Sequence, residues 1–305
     1  MYELLRLLWG TILLRPYVFA FLAVYLVAGW RHMGWKRTLA YIPVGWALAW
    51  VSEYSSIHWG FPYGDYFYIQ STANRELWVL GVPFMDSLSY VFLSYCSYSL
   101  AVFLMSPVTL WAGNLITLET SAIRRSWQTL ILGAFLFVLL DIVIDPVALQ
   151  GDRWFLGRIY GYRHEGFYFG IPMSNFGGWL FVGALLTGAL QALERMLPPD
   201  SRLHLPAGRS SWMRLLGPAL YFSVLLFNIA VTFYIGEMLL GLVDMLLLSV
   251  LLVPMVFFTF YKSSNISAEA LNTYFSGNSR SQPLDPDFTR NLAQQRGWNP
   301  QKSGH

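Results

Sequence analysis

The chain has 305 residues, of which 55% are hydrophobic and only 12% charged, with a formal net charge of +3. A soluble domain carries about a quarter charged residues, so the composition excludes that class and points to an integral membrane protein. The small positive excess sits in loops and gives no sign of a nucleic-acid partner. Cys96 is the only cysteine, which excludes an intrachain disulfide.

Residues 1–10 read as a short interfacial helix, with Leu4, Leu5, Leu7, Leu8 and Trp9 as its apolar face. Membrane-length apolar stretches follow near 11–29, 38–56, 87–110, 128–148, 174–196, 214–234 and 238–261, the last two joined around Gly236-Glu237. No small-x-small cleavage site follows the first stretch, so no cleaved signal is expected. The pattern predicts an all-α polytopic bundle of about seven helices over 1–262. The remainder, 263–305, is rich in Ser, Asn, Gln, Gly and Arg and is expected to be a disordered polar tail. Arg31, Lys36, Arg37, Arg124, Arg125, Arg195, Arg202, Arg209, Arg214 and Lys262 fall in alternate connections. The positive-inside rule then places the C-terminus in the cytoplasm, the chain in the inner (cytoplasmic) membrane, and the intervening loops outside. Arg6 and Arg15 weaken that assignment at the N-terminus.

The outer loops carry the most informative segments. The first runs Glu53, Gly60-Phe61-Pro62-Tyr63-Gly64-Asp65-Tyr66-Phe67-Tyr68, then Gly81-Val82-Pro83-Phe84-Met85-Asp86. The second runs Asp141, Asp145-Pro146, then Gly166-Phe167-Tyr168-Phe169-Gly170-Ile171-Pro172-Met173-Ser174-Asn175. Glu53 precedes Gly81 by 28 residues and Asp141 precedes Gly170 by 29. Spans 2–3 and 4–5 therefore read as two parallel copies of helix, loop, helix around a common cavity. Chance recurrence of Gly-x-Pro turns before helices is the alternative.

Intramembrane carboxyls are costly and mark sites. Asp141 and Asp145 are one helical turn apart and share a face. Burial disfavours a charged carboxylate, and a neutral carboxyl can act as a general acid; a helix-to-helix hydrogen bond is the plainer reading. Glu53 is the counterpart of Asp141 in the repeat, or an interfacial glutamate facing water. Asp86 and Asn175 open spans 3 and 5, where either residue type makes a good N-cap, and capping is the favoured reading. Trp59, Tyr63, Tyr66, Phe67, Tyr68, Trp154, Tyr160, Tyr162, Phe167, Tyr168 and Trp179 make a dense aromatic zone. An aromatic belt explains many such residues; the functional alternative is a lining for a flat polyene or a carbocation. His58 and His164 are isolated, and no metal spacing such as His-Glu-x-x-His is present. Asp244 and Asn228 read as helix–helix glue.

Taken together, Glu53, the Gly60–Tyr68 segment, Leu80-Gly81-Val82-Pro83, Asp141-Ile-Val-Ile-Asp145-Pro146, Trp154 and Tyr168-Phe169-Gly170-Ile171-Pro172-x-x-Asn175-Phe176-Gly177-Gly178-Trp179 resemble the membrane carotenoid-biosynthesis hydratases. These include the bisanhydrobacterioruberin hydratase and γ-carotene hydratase types. The resemblance covers roughly 40–190. It departs at Pro62-Tyr63-Gly64, where the family has Pro-Phe-Gly, and in the charged loop between Asp145 and Gly170. It implies cofactor-independent addition of water to the terminal double bond of an acyclic carotenoid, with the bilayer and other enzymes of the pathway as partners. Protonating an alkene carbon needs an acid, and the tertiary cation then needs water and a base. Asp141 is the expected proton donor, with Glu53 or Asp145 as base. Substrate contacts are expected from Trp59, Tyr63, Tyr66, Tyr68, Asp86, Trp154, Tyr168, Asn175 and Trp179. A membrane prenyltransferase, with Asp141-x-x-x-Asp145 holding Mg²⁺, and a non-enzymatic carotenoid- or lipid-binding protein are the competing readings.

Overall fold

Serine, cysteine and tyrosine alternate with apolar residues along Phe84–Met105, and this helix becomes the hub of the molecule. In the computed structural model, which describes residues 2–111, 114–197 and 212–264, the helices are α1 (Tyr2–Leu14), α2 (Pro16–Met33), α3 (Trp35–Trp59), α4 (Phe84–Met105), α5 (Ser121–Arg124), α6 (Trp127–Leu149), α7 (Met173–Met196), α8 (Leu216–Tyr234) and α9 (Met238–Ser264). In its most apolar stretch α4 is 83% buried, whereas α9 is 22% buried and lies at the rim. Helices α2, α3, α6, α7 and α8 all pack against α4. Lipid tails are as apolar as leucine, so close packing and hydrogen bonds must hold such helices together. Gly217 permits one crossing, since a Cβ there would sit 2.1 Å from the Ser99 oxygen of α4. Tyr41 bonds Ser94 at 2.6 Å between α3 and α4, and Tyr221 donates to the Leu136 carbonyl at 2.8 Å between α8 and α6. Asp244 of α9 sits 3.4 Å from the Thr232 hydroxyl of α8, the helix-joining contact expected of it.

Among the described residues, five helices are long and apolar enough to cross a membrane, and the α1–α2 pair makes a sixth if counted as one broken span. Helix α3 is not among them; it carries Lys36, Arg37 and Glu53. The first expected span, 11–29, is not continuous: α1 and α2 meet at 89°. Pro16 opens α2, and Arg15 is buried at the bend, where it grips Glu76 through two contacts of 3.0 and 2.9 Å and donates to the Leu156 carbonyl. Its charge is neutralised inside the protein, so it carries no topological signal. The expected third span, 87–110, stops at Met105, and β4 (Val108–Trp111) pairs with β5 (Asn114–Thr117) as a hairpin. The tail expected over 263–305 falls, beyond Ser264, outside the described residues.

The all-α expectation also lacks the short strands between the helices: β1 (Tyr66–Tyr68), β2 (Trp78–Val79), β3 (Val82–Pro83) and β6 (Tyr160–Tyr162). Strand β1 pairs antiparallel with β6, so the two motif loops meet. The Gly-x-Pro segments have one local geometry. Leu80 and Phe169 have positive φ (50° and 47°), and each precedes a glycine of φ 85° or 87°. Val79 pairs with Val82 and Tyr168 with Ile171 across these two-residue turns. Two left-handed residues in succession make the tight hairpin turn that glycine favours. Each turn delivers a proline, Pro83 or Pro172, to the start of the next helix.

The opposite face is closed by a buried charge network. His32 meets Glu119 at 3.0 Å, Arg124 meets Glu194 at 2.8 Å, and Arg37 donates to the Leu197 carbonyl at 2.8 Å. Burial would raise the Glu119 carboxyl, but His32, Arg214 and Arg124 beside it hold it down at about 2, against an ordinary 4.5. A folded-state value below the unfolded one stabilises the fold above about pH 4.5, and that contribution is lost as pH falls toward 2. Glu119→Gln is expected to remove about 3 kcal/mol at neutral pH. Thermal unfolding of the detergent-solubilised protein should show a lower Tm for the variant and a shallower fall of Tm in acid. Equal Tm values across the range would refute the pairing.

Candidate active site

Tyr-x-Tyr occurs in both paired strands, Tyr66-Phe67-Tyr68 and Tyr160-Gly161-Tyr162. A strand alternates its side chains between faces, so each strand puts both tyrosines on one side. The register sets Tyr66 opposite Tyr162 and Tyr68 opposite Tyr160. Their rings touch, with centroids 6.2 Å apart for Tyr66 and Tyr162 and 5.3 Å for Tyr66 and Tyr68. Burial first, and neighbouring carboxylates second, push all four hydroxyls well above the ordinary tyrosine value. They therefore remain protonated and act as donors.

Tyr66 donates to the Tyr68 hydroxyl at 3.5 Å, and the other three donate to carboxyls of the helices. Tyr160 and Tyr162 donate to the two oxygens of Asp145, both at 2.7 Å. Asn175, two residues into α7, donates from one amide nitrogen to Asp145 at 2.9 Å and to Asp141 at 2.8 Å. Asp141 and Asp145, one helical turn apart on α6, thus share the Asn175 amide. Tyr68 donates to Asp86 at 2.5 Å, and Ser87 donates to Glu53 at 2.5 Å. Four carboxyls thus gather where α3, α4 and α6 meet the tyrosine ribbon.

Two cavities meet there. One is a polar pocket of about 50 Å³ under the tyrosines, lined by Glu53, Tyr63, Asp86, Tyr90, Asp145 and Asn175 among others. The other is an apolar cavity of about 110 Å³ between α2, α4, α6 and α8, walled by residues such as Tyr17, Phe21, Leu93, Val224 and Phe227. Asp86, Tyr90, Asp145, Tyr160 and Trp179 line both. Helical spacing accounts for the apolar wall: Asp86, Ser89, Tyr90 and Leu93 follow i, i+3, i+4, i+7 on α4. Trp179 stacks on Tyr90 at 4.9 Å and packs on Phe137 at 4.6 Å, which turns ring faces toward the junction. Neither lining includes a lysine, arginine or histidine.

Of the residues singled out from sequence, Glu53, Tyr63, Tyr66, Tyr68, Asp86, Asp145, Asn175 and Trp179 line the polar pocket, and Trp154 the apolar cavity. Asp141 is fully buried behind Asn175 and lines neither. Its Oδ1 has no protein hydrogen-bond partner. Tyr168 also lines neither, and Trp59 is 74% exposed at the end of α3, away from the junction. The capping expectation for Asp86 and Asn175 is corrected. Pro83 and Pro172 occupy the N-cap positions, with no side-chain cap. Both polar residues fall inside the first turn and aim at the site instead. Tyr90 and Ser87 were not among the expected residues, whereas Tyr160 and Tyr162 belong to the expected aromatic zone and line the polar pocket.

Among the described residues no group of three or more His, Cys, Asp or Glu side chains is arranged to hold a metal ion. Comparison with known proteins gives a match over residues 11–252, well over half of the chain, to the family model described as carotenoid biosynthesis protein. No curated protein and no solved structure matches.

Proposed function

The chain belongs to the carotenoid biosynthesis protein family, and from that premise we propose that it adds water to the terminal double bond of an acyclic carotenoid end group. The observation that carries this reading is the junction of an apolar cavity and a hydroxyl-lined pocket at Asp86 and Asp145. The alkene occupies the apolar side and water the polar side.

Hydrogen-bond supply assigns the roles. Asp145 receives two tyrosine hydroxyls and one amide N–H, a shell that favours a carboxylate even without a cation. Asp86 receives one hydroxyl and is the acid. Four crowded carboxyls in a low-dielectric site cannot all be charged, so protons remain among them. Asp86 gives its proton to the less substituted alkene carbon, which leaves a tertiary cation facing Asp145 and the rings of Tyr90 and Trp179. Water from the polar pocket attacks the cation, its oxygen forms the new C–O bond, and its surplus proton goes to Asp145. The proton returns from Asp145 to Asp86 through water in the polar pocket that both line, so the sum is one water added. Asp141 is a positioning residue: as a neutral carboxyl it donates to Asp145. Glu53 borders the pocket and fixes Ser87 at the start of α4. The basic connections on the opposite face keep that face, with the C-terminus, on the cytoplasmic side of the inner membrane, and α3 is assigned as a further span.

Expression in a bacterial host that makes lycopene tests the reading. The pigment extract is expected to contain a tertiary alcohol heavier than its precursor by one water. Well-expressed protein that leaves every acyclic carotenoid unchanged would reject it.

A further inference from the structure

The apolar cavity is too small for the substrate the proposed hydration needs. At about 110 Å³ it is smaller than the roughly 150 Å³ apolar cavity that takes up a single benzene. It admits an end group and leaves the polyene shaft outside. The direction in which that shaft leaves can be read from the walls. Trp154 and Phe227 line the cavity and also line an open groove of about 730 Å³ that runs along α8 past Ala230, Val231 and Tyr234. Between cavity and groove stands a cluster of rings. Tyr17 stacks on Phe227 with centroids 5.6 Å apart and an interplanar angle of 18°. Phe21 meets Phe227 edge-on at 5.7 Å, and Trp154 meets Phe155 edge-on at 4.9 Å. Phe155 is 60% exposed on the outer side, so the cluster spans from the interior to the surface. The loop that bears Trp154 and Phe155 is pinned by Arg153, which bonds Glu237 and the Ile235 carbonyl at the α8–α9 turn.

Resting on the hydration reading, we infer that the ring cluster of Tyr17, Phe21, Trp154, Phe155 and Phe227 is a lateral portal. Through it the polyene shaft of an acyclic carotenoid threads from the groove along α8 into the cavity. The occupant follows from chemistry. Apart from Asp152 and Arg153 the groove is lined by apolar and aromatic residues; it is continuous with a cavity that holds only an end group, and flat ring faces suit a flat conjugated chain. Because the shaft must pass between packed rings, the portal selects slender chains, and a bulky cyclised end cannot reach Asp86 and Asp145.

The test uses the fact that Cys96, the only native cysteine, is buried. Ala230→Cys places a thiol in the groove, and Val250→Cys places one on the exposed face of α9. In vesicles treated with a membrane-permeant maleimide, lycopene is expected to slow labelling of Ala230→Cys several-fold and leave Val250→Cys unchanged. Ala230→Trp, which fills the groove outside the cavity, is expected to raise KM for lycopene by about tenfold, a factor typical of one ill-fitting apolar contact. It should leave turnover of 2-methyl-2-butene, the end group without its shaft, unaffected. Equal labelling with and without lycopene would overturn the portal, whatever the activity. Equal impairment of both substrates by Ala230→Trp would also overturn it, since the groove would then act only through the shape of the cavity. Protection of Ala230→Cys by lycopene with no alcohol product from any acyclic carotenoid would uphold the portal and reject the hydration.

Discussion

Asp145→Asn is expected to lower the rate of hydration by about a thousandfold or more, the scale set by losing a preorganised charge and a base together. Asp145 is the one carboxyl held by Tyr160, Tyr162 and Asn175 at 2.7–2.9 Å while lining both cavities. The amide keeps the shape but loses the negative charge that faces the cation and the acceptor for the proton of water. Turnover measured in lipid nanodiscs, with circular dichroism to check the helices, separates chemistry from folding. A folded Asp145→Asn protein with activity within tenfold of the parent would remove Asp145 from the mechanism. Asp141→Asn is the informative neighbour. Asparagine at 141 can still donate to Asp145, so its effect should remain within about tenfold.

Asp86→Asn is the second large effect, an expected loss of about a hundred- to ten-thousandfold in kcat with little change in KM. Asparagine accepts from Tyr68 as aspartate does, fits the first turn of α4, and cannot protonate an alkene carbon. Asp86→Glu restores an acid and should recover part of the rate. If Asp86→Asn instead raised KM and spared kcat, Asp86 would be a binding group and the acid would have to be sought at Glu53.

Local signals account for much of this arrangement, and tertiary contacts for what they miss. Expected spans 128–148 and 174–196 agree closely with Trp127–Leu149 and Met173–Met196. Ser126 caps the first, and a Gly-Ile-Pro turn starts the second. The break between α1 and α2 depends on Glu76, 61 residues from Arg15, and no local pattern announces such a partner. Asp86 and Asn175 look like caps because the residue types that cap are also the short polar ones that reach into a site. The helices begin earlier, at Phe84 and Met173, and the difference decides their role. The carboxyls were legible because charge in hydrocarbon stands out. Their division of labour was not, since it depends on which oxygen meets which hydroxyl. Asp141, embedded in the most apolar surroundings, looked like the acid. In the fold Asp141 is buried and lines neither cavity, and the proposed mechanism gives the acid's role to Asp86 instead.

In the proposed hydration the oxygen and a hydrogen of the product come from water at the junction of the two cavities. The most direct measurement follows the same lycopene conversion in deuterium oxide enriched in heavy oxygen, with the product analysed by mass spectrometry and NMR. One heavy oxygen on the tertiary carbon and one deuterium on the carbon beside it are expected. An alcohol whose oxygen comes from dissolved dioxygen, or whose adjacent carbon carries no deuterium, would contradict the hydration.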